Sequence, residues 1–430
     1  MKLTAATSRL QRFPHLQLCV CTALVGLSVP ISTALDNVLL AIVLLGVFFN
    51  ARAVWQTVIQ HPVARAAWLL FGMLLLAVFY GATPWREATD VLGKYLDLAF
   101  VPVFMLLLPG EASRRWAQYA FLASMGLILF LSYLVGLKLL PVQHWMDVFA
   151  AVDNPVIFKS HITQNNMMAF AAFIALLKLR DEASIRRRCA WGLFAGLALV
   201  NVLFMVQGRT GYLIMLALLC WFTWATLAHY QSRRGKAWGW RQAVSVLAVF
   251  FVVVLAVFFL SGRLHDRVSM VAHEFQAWQP NQEDINSSTG TRLNFYYNAI
   301  QIVASHPLVG VGTGGFETAF TGQIKGTNLI TTSNPHSEYL LLAAQTGIAG
   351  LALLLYLFYT MWRNAPLLET AFAQDAARGL VLAYLVNCAF NSALHDHSDG
   401  LFFAFMTAVL FANLRVAKSG QVISHPDHQE

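Results

Sequence analysis

Charge is what this chain has least of. Asp, Glu, Lys and Arg make up 12% of its 430 residues, about half the share of a soluble globular domain. With 58% hydrophobic residues and a mean hydropathy of +0.58, an ordinary water-soluble fold is excluded and the apolar surplus must face a membrane. A cysteine framework is missing too. Cys19, Cys21, Cys189, Cys220 and Cys388 all fall in apolar runs, which argues against both a disulfide scaffold and a cysteine-based zinc site. No internal repeat, low-complexity tract or soluble accessory domain is visible, and the polar, basic stretch from Met1 to Arg12 is not a cleavable signal pattern. The net charge of +8 does not point to nucleic acid, because a membrane protein collects Lys and Arg in its cytoplasmic loops.

What is present is a series of apolar runs of roughly 17 to 25 residues, the length of a helix across a bilayer core. They predict an all-α polytopic membrane protein, residues 1–430 forming one integral membrane domain, with about twelve transmembrane helices at roughly 15–34, 37–51, 64–82, 94–109, 116–136, 162–178, 189–206, 210–229, 243–261, 337–360, 376–394 and 401–415. Placing both termini in the cytoplasm puts most of the basic residues inside. The outer side then receives Arg86, Lys94, Lys138, Lys159, Arg209, Arg263, Arg267, Arg292 and Lys325. Singly these are either snorkelling residues or ligands; as a group they suggest an anion site.

The longest polar stretch, 262–335, is then a large, partly helical periplasmic loop, too long for a plain connection. Ser287, Ser288, Thr289 and Gly290 can cap a helix starting near Thr291, with Leu293, Tyr296, Tyr297, Ile300 and Val303 on its apolar face. Trp145, Met146, Val148 and Phe149 give a second outer loop some interfacial character.

The residues that can carry chemistry cluster at outer span ends. In Ser333-Asn334-Pro335-His336-Ser337-Glu338, Asn334 reads as the N-cap of the tenth span and Pro335 as its first residue. His336 would then sit in the first turn, where the helix dipole keeps the imidazole neutral, as a general base requires; a capping-region histidine is the alternative. Gly310, Gly312, Gly314 and Gly315 form a glycine-rich turn that can bring backbone amides to a ligand, yet it is neither a Walker loop nor a dinucleotide fingerprint. Arg209 lies in a very short outer turn and Arg292 in the first turn of the loop helix. Either could hold a phosphate bidentately or simply reach for water. Lys159, His161 and Gln164 lead into the sixth span, as head-group ligands or as helix-entrance residues; Arg86 and Lys94 flank a segment before the fourth and could complete a basic mouth. His395, Asp396, His397 and Asp399 invite a metal reading, although a tight turn between the last two spans favours such residues anyway.

Many spans, a large outer loop before the tenth, a glycine-rich turn within it and a histidine closing it resemble the O-antigen ligase superfamily, with the motif-bearing part at about 209–400. The resemblance implies a membrane glycosyltransferase of the GT-C type that completes lipopolysaccharide. It would move O-antigen polysaccharide from undecaprenyl pyrophosphate to lipid A–core on the periplasmic face of the inner membrane. It further implies inversion at the anomeric carbon without a metal ion or other cofactor. The family's loop histidine maps onto His336 and its essential arginines onto Arg209 and Arg292, with Glu338, Asp396, Asp399, Gly312 and Gly314 in support.

Three other functions stay open on the sequence. An O-antigen polymerase and a protein O-oligosaccharyltransferase share this plan; the short polar stretch from Arg415 to Glu430 favours a lipid acceptor over a protein one, and the single large loop argues against a polymerase. A transporter or flippase would need polar sites near the midplane, whereas the spans read as lacking internal charge pairs.

Overall fold

The computed structural model describes residues 12–48, 50–233 and 288–414, with short pieces at 269, 273–276 and 278–281. Among them there is no strand, only an isolated bridge between Ala151 and Asn154. The helices are α1 (Arg12–Ser28), α2 (Thr33–Phe48), α3 (Ala51–Gln60), α4 (Pro62–Tyr80), α5 (Trp85–Lys94), α6 (Asp97–Leu107), α7 (Glu111–Gly136), α8 (His161–Asp181), α9 (Ile185–Val200), α10 (Arg209–Arg233), α11 (Ser288–Ser305), α12 (Gly315–Gln323), α13 (Glu338–Asn364), α14 (Ala371–Phe390) and α15 (His397–Phe411).

The protein is a membrane protein, but the described residues do not reach twelve spans. Six helices are long and apolar enough to cross a membrane: α4, α7, α8, α9 with its π-helical extension to Met205, α10 and α13. A seventh span arises if α2 and α3, bent by 95°, count together. The apolar run at 94–109 overestimates its helix, because α6 has only 11 residues and so extends about 16 Å. The run at 401–415 yields α15, which starts earlier, at His397, and has 15 residues. The expected span 243–261 lies outside the described residues. Hydropathy counts apolar runs, and an apolar helix wholly enclosed by other helices has the same composition as one facing lipid.

α8 shows this directly. It is largely buried (78%) and forms the centre of the bundle, whereas α9 and α10 are only 22% and 28% buried and present apolar sides outward. Phe402, Phe403 and Phe405 of α15 pack with Phe104, Phe121 and Phe170 in the main core.

A second, smaller core sits over the first half of α13. There Phe295, Ala299 and Ile302 of α11 meet Phe316 and Phe320 of α12 and Leu341 and Ala344 of α13. The buried face of α11 is thus rotated from the expected one, and Ile300 is exposed. Aromatic packing on α12 decides the rotation, and Asn294 goes inward because its Oδ1 accepts from Trp278 Nε1 at 2.9 Å. The same rotation turns Tyr296 toward His336.

The glycine-rich turn holds this unit on the bundle. α13 is broken at Gly347 (φ 64°, ψ −162°), which releases carbonyls from the helical ladder. Val311 N–H donates to Ala344 O and Gly312 N–H to Gln345 O, both at 2.9 Å, while Thr313 N–H reaches Ala77 O of α4 at 3.1 Å. Gly314 N–H donates to Gln345 Oε1 at 2.7 Å. The amides expected to approach a ligand are therefore consumed in docking, and Gly312 and Gly314 support the fold. Gly312 (φ +92°) has no room for a side chain, since a Cβ would lie 2.3 Å from Gly81 Cα. Gly312→Ala should lower the thermal unfolding midpoint in detergent, by a loss of at least about 1–2 kcal/mol from the left-handed backbone alone. An unchanged midpoint would show that the loop seating contributes nothing to stability.

Candidate functional site

The starts of α8, α10, α11 and α13 meet at one end of the bundle. Arg209 is the first residue of α10, not a residue of the preceding turn. Its Nη1 donates to Thr289 Oγ1 of α11 at 2.9 Å, which ties the bundle to the outer unit. One turn along α11 lies Arg292, half-buried and within electrostatic reach of Arg209, Tyr296, His161 and His336. Among the described residues no carboxylate pairs with either arginine. Burial disfavours the Arg292 guanidinium charge and Arg209 adds repulsion, so the site is an unneutralised cationic pair that an anion would relieve.

His336 does not start α13. Its N–H donates to Asn334 Oδ1 at 2.8 Å, an Asx turn that uses the side-chain acceptor expected to cap the helix. The chain then enters the left-handed region at His336 (φ 55°), and Ser337 becomes the N-cap before Glu338. The imidazole is still held below its ordinary range, but first by burial and then by the Arg292 cation, not by a place in the first helical turn. Its ring stacks on Phe295 (centroids 6.1 Å apart, 20° between planes). Tyr296 Oη donates to the His336 carbonyl at 3.2 Å. A neutral imidazole, fixed at backbone and ring beside two guanidinium groups, can accept a proton while a neighbouring anion is held.

The turn between α14 and α15 braces this arrangement. The buried Glu338 carboxylate accepts from Tyr95 Oη at 2.8 Å, Leu394 N–H at 2.8 Å and His395 N–H at 3.2 Å. Glu338 N–H donates in turn to Asn391 O at 3.1 Å, and Asn391 Nδ2 reaches Thr210 Oγ1 at 3.2 Å. Glu338 and Asn391 thus couple the approach of His336 to the helix start carrying Arg209. Tyr296 and Tyr95 were not among the candidates from sequence. Tyr296 alone had a local signal, lying four residues after Arg292 on one helix.

The remaining candidates separate from this centre. Lys159 Nζ donates to Thr33 Oγ1 at 2.6 Å and lies 3.8 Å from Asp36. Gln164 Oε1 accepts from Ile157 N–H at 2.9 Å. Both are spent inside the bundle, whereas His161 stays at the site, half-buried against Phe149. Arg86 and Lys94 are exposed on α5. Lys94 influences His395, which burial and that ammonium hold down to about 4. Asp396 caps α15, accepting from Ser398 N–H and Asp399 N–H at 3.0 and 3.1 Å. Asp399 accepts from Thr163 Oγ1 at 3.0 Å and Asn166 Nδ2 at 2.6 Å. His397 Nδ1 lies 3.3 Å from Asp97 and His395 packs on Tyr95, so the four side chains of this turn point to separate partners rather than to one metal position. Two close pairs of titratable side chains, Asp36–Lys159 and Asp97–His397, lie beside this turn. All four residues sit at or beside helix starts rather than at mid-helix.

Residues 193–355 match the family model described as O-Antigen ligase. The matched segment contains Arg209, Arg292, His336, Glu338 and the glycine-rich turn. No curated protein is significantly similar to the chain. The resemblance read from the motifs is thus borne out over residues 193–355, the segment that matches the O-antigen ligase domain.

Proposed function

From the O-antigen ligase domain at 193–355, we propose that this membrane glycosyltransferase moves polysaccharide from undecaprenyl pyrophosphate to lipid A–core on the periplasmic face of the inner membrane, with both termini cytoplasmic. The observation that carries the reading is the convergence of Arg209 and Arg292, with no carboxylate paired to either among the described residues, beside a half-buried His336. An acceptor hydroxyl attacks the anomeric carbon and its proton passes to His336. The bond from that carbon to the phosphate oxygen breaks, and the lipid pyrophosphate leaves with the electron pair. Arg209 and Arg292 take up the developing charge. Attack from the face opposite the leaving group inverts the anomeric carbon.

Electrostatics couple the two roles. Without substrate, Arg292 opposes protonation of His336. A bound pyrophosphate offsets that cation and makes the imidazolium accessible when the proton must be taken. The pH dependence has a definite sign. His336 works unprotonated, so activity falls as pH drops through its pKa. In kcat/KM, which reports the free enzyme, the acid limb should lie below about 6.5. In kcat, which reports the complex, it should lie higher. A kcat limb at or below the kcat/KM limb would contradict the coupling.

The test of the reaction is transfer in vitro by the purified protein from a lipid-pyrophosphate glycan to lipid A–core, with EDTA present. The expected product is glycosylated lipid A–core. Extension of the donor glycan with lipid A–core unused would assign a polymerase instead, and glycan appearing only on an added protein acceptor would assign a protein transferase.

A further inference from the structure

A polar cavity lies at the other end of the bundle. α8 starts at the site with His161 and carries Lys178 in its last turn, about 25 Å further along at 1.5 Å per residue. α10 likewise runs from Arg209 to a last turn near His229 and Tyr230. Lys178 and both of these α10 residues line a cavity of about 1040 Å³ together with Arg114, Arg115 and Arg180.

The charges around this cavity are unequally matched. Arg115 pairs with Glu111 at 2.6 Å, and Arg180 with Asp181 and Asp375 at 2.8 and 2.7 Å. Lys178 forms no ion pair among the described residues. Its ammonium sits instead among the rings of Tyr119, Trp191 and Phe372, at 4.7, 5.5 and 5.0 Å from their centroids. These rings hold a cation in place but supply no counter-anion. The half-buried Arg114 donates from Nη1 to Pro109 O at 3.2 Å, lines the cavity, and has the carboxylates of Glu369 and Glu111 within electrostatic reach. Beside it on α7, Trp116 and Tyr119 are exposed, as in the aromatic girdle at the level of lipid head groups.

We propose that this cavity binds a phosphate-bearing group, with Lys178 as its fixed charge and Arg114 as its guanidinium clamp. Two cations of different geometry at one mouth suit a phosphoryl group, one as a point charge and the other as a fork. The exposed aromatic rings favour a phospholipid head group as the source, since basic pockets between spans take up anionic lipids. The site is separate from the His336 centre and does not depend on which glycan reaction that centre performs.

Native mass spectrometry of the full-length protein released from detergent micelles tests it. The probes are short-chain phosphatidylglycerol, the matching diacylglycerol and inorganic phosphate. Wild type should retain phosphatidylglycerol adducts in preference to diacylglycerol. Lys178→Gln and Arg114→Gln should each weaken phosphatidylglycerol about fivefold, the effect of one basic residue near a lipid phosphate. Lys178→Arg, which keeps the charge, should restore most of the binding. Competition by inorganic phosphate would assign a free phosphate as the natural occupant, and its absence a lipid; both uphold a phosphate site. Equal retention of diacylglycerol, or undiminished binding by both glutamine variants, overturns it. Should Lys178→Gln not fold, Arg114→Gln, at the more exposed edge, decides alone.

Discussion

His336→Asn is expected to lower glycan transfer by about 10²–10⁴-fold, the contribution of a positioned general base, while the protein still inserts and unfolds at a normal temperature. Asparagine is the informative replacement because His336 occupies the left-handed region (φ 55°), which Asn tolerates better than Ala. Its amide cannot accept a proton at neutral pH, and the backbone clamp from Asn334 Oδ1 and Tyr296 Oη stays available. The loss should fall on kcat, because the proposed mechanism assigns binding of the lipid pyrophosphate to the arginines. Transfer within a few-fold of wild type would remove His336 as the base. Tyr296→Phe separates positioning from chemistry. It removes one neutral hydrogen bond to a carbonyl, so it should cost a modest factor in kcat and leave the acid limb of the pH profile where it is.

Arg292→Ala should be comparably damaging, about 10²–10³-fold in kcat/KM, by analogy with removing one preorganised donor from a developing oxyanion. Arg292→Lys should recover little of it. A lysine supplies a point charge where a half-buried guanidinium supplies a planar fork. Arg209→Ala adds a structural loss, because it also removes the Nη1 bond to Thr289 Oγ1 that joins α10 to α11. The two arginines face one anion, so the double variant should lose less than the product of the single losses. Measured initial rates that multiply instead would mean that the arginines act at separate places. Normal rates in Arg292→Lys would reduce the requirement to charge alone.

Much of the site was visible in the residues themselves. Arg209 and His336 stand out because each is a polar group at the edge of an apolar run, where composition alone asks for a reason, and Arg292 because it opens the helix of the long polar loop. Their convergence was not visible. Arg209 meets Thr289 across 80 positions and Tyr95 meets Glu338 across 243, and such bonds leave no trace in local spacing. Lys159 looks like Arg209 in sequence, a cation just before a helix, but it is folded against Thr33 and Asp36. The glycine-rich turn likewise reads as a ligand cradle until the break at Gly347 shows which carbonyls its amides must satisfy.

By itself the sequence determined that the chain is helical and lives in a membrane, because low charge and long apolar runs permit nothing else. It also singled out His336 as the residue to watch. Tertiary structure decided what holds that imidazole in its neutral form. A hydrogen bond from its own N–H to Asn334 Oδ1 holds it outside the helix that was expected to tune it, and burial beside Arg292 keeps it neutral instead. Burial and long-range charge depend on which segments pack together, and packing is a property of the whole fold.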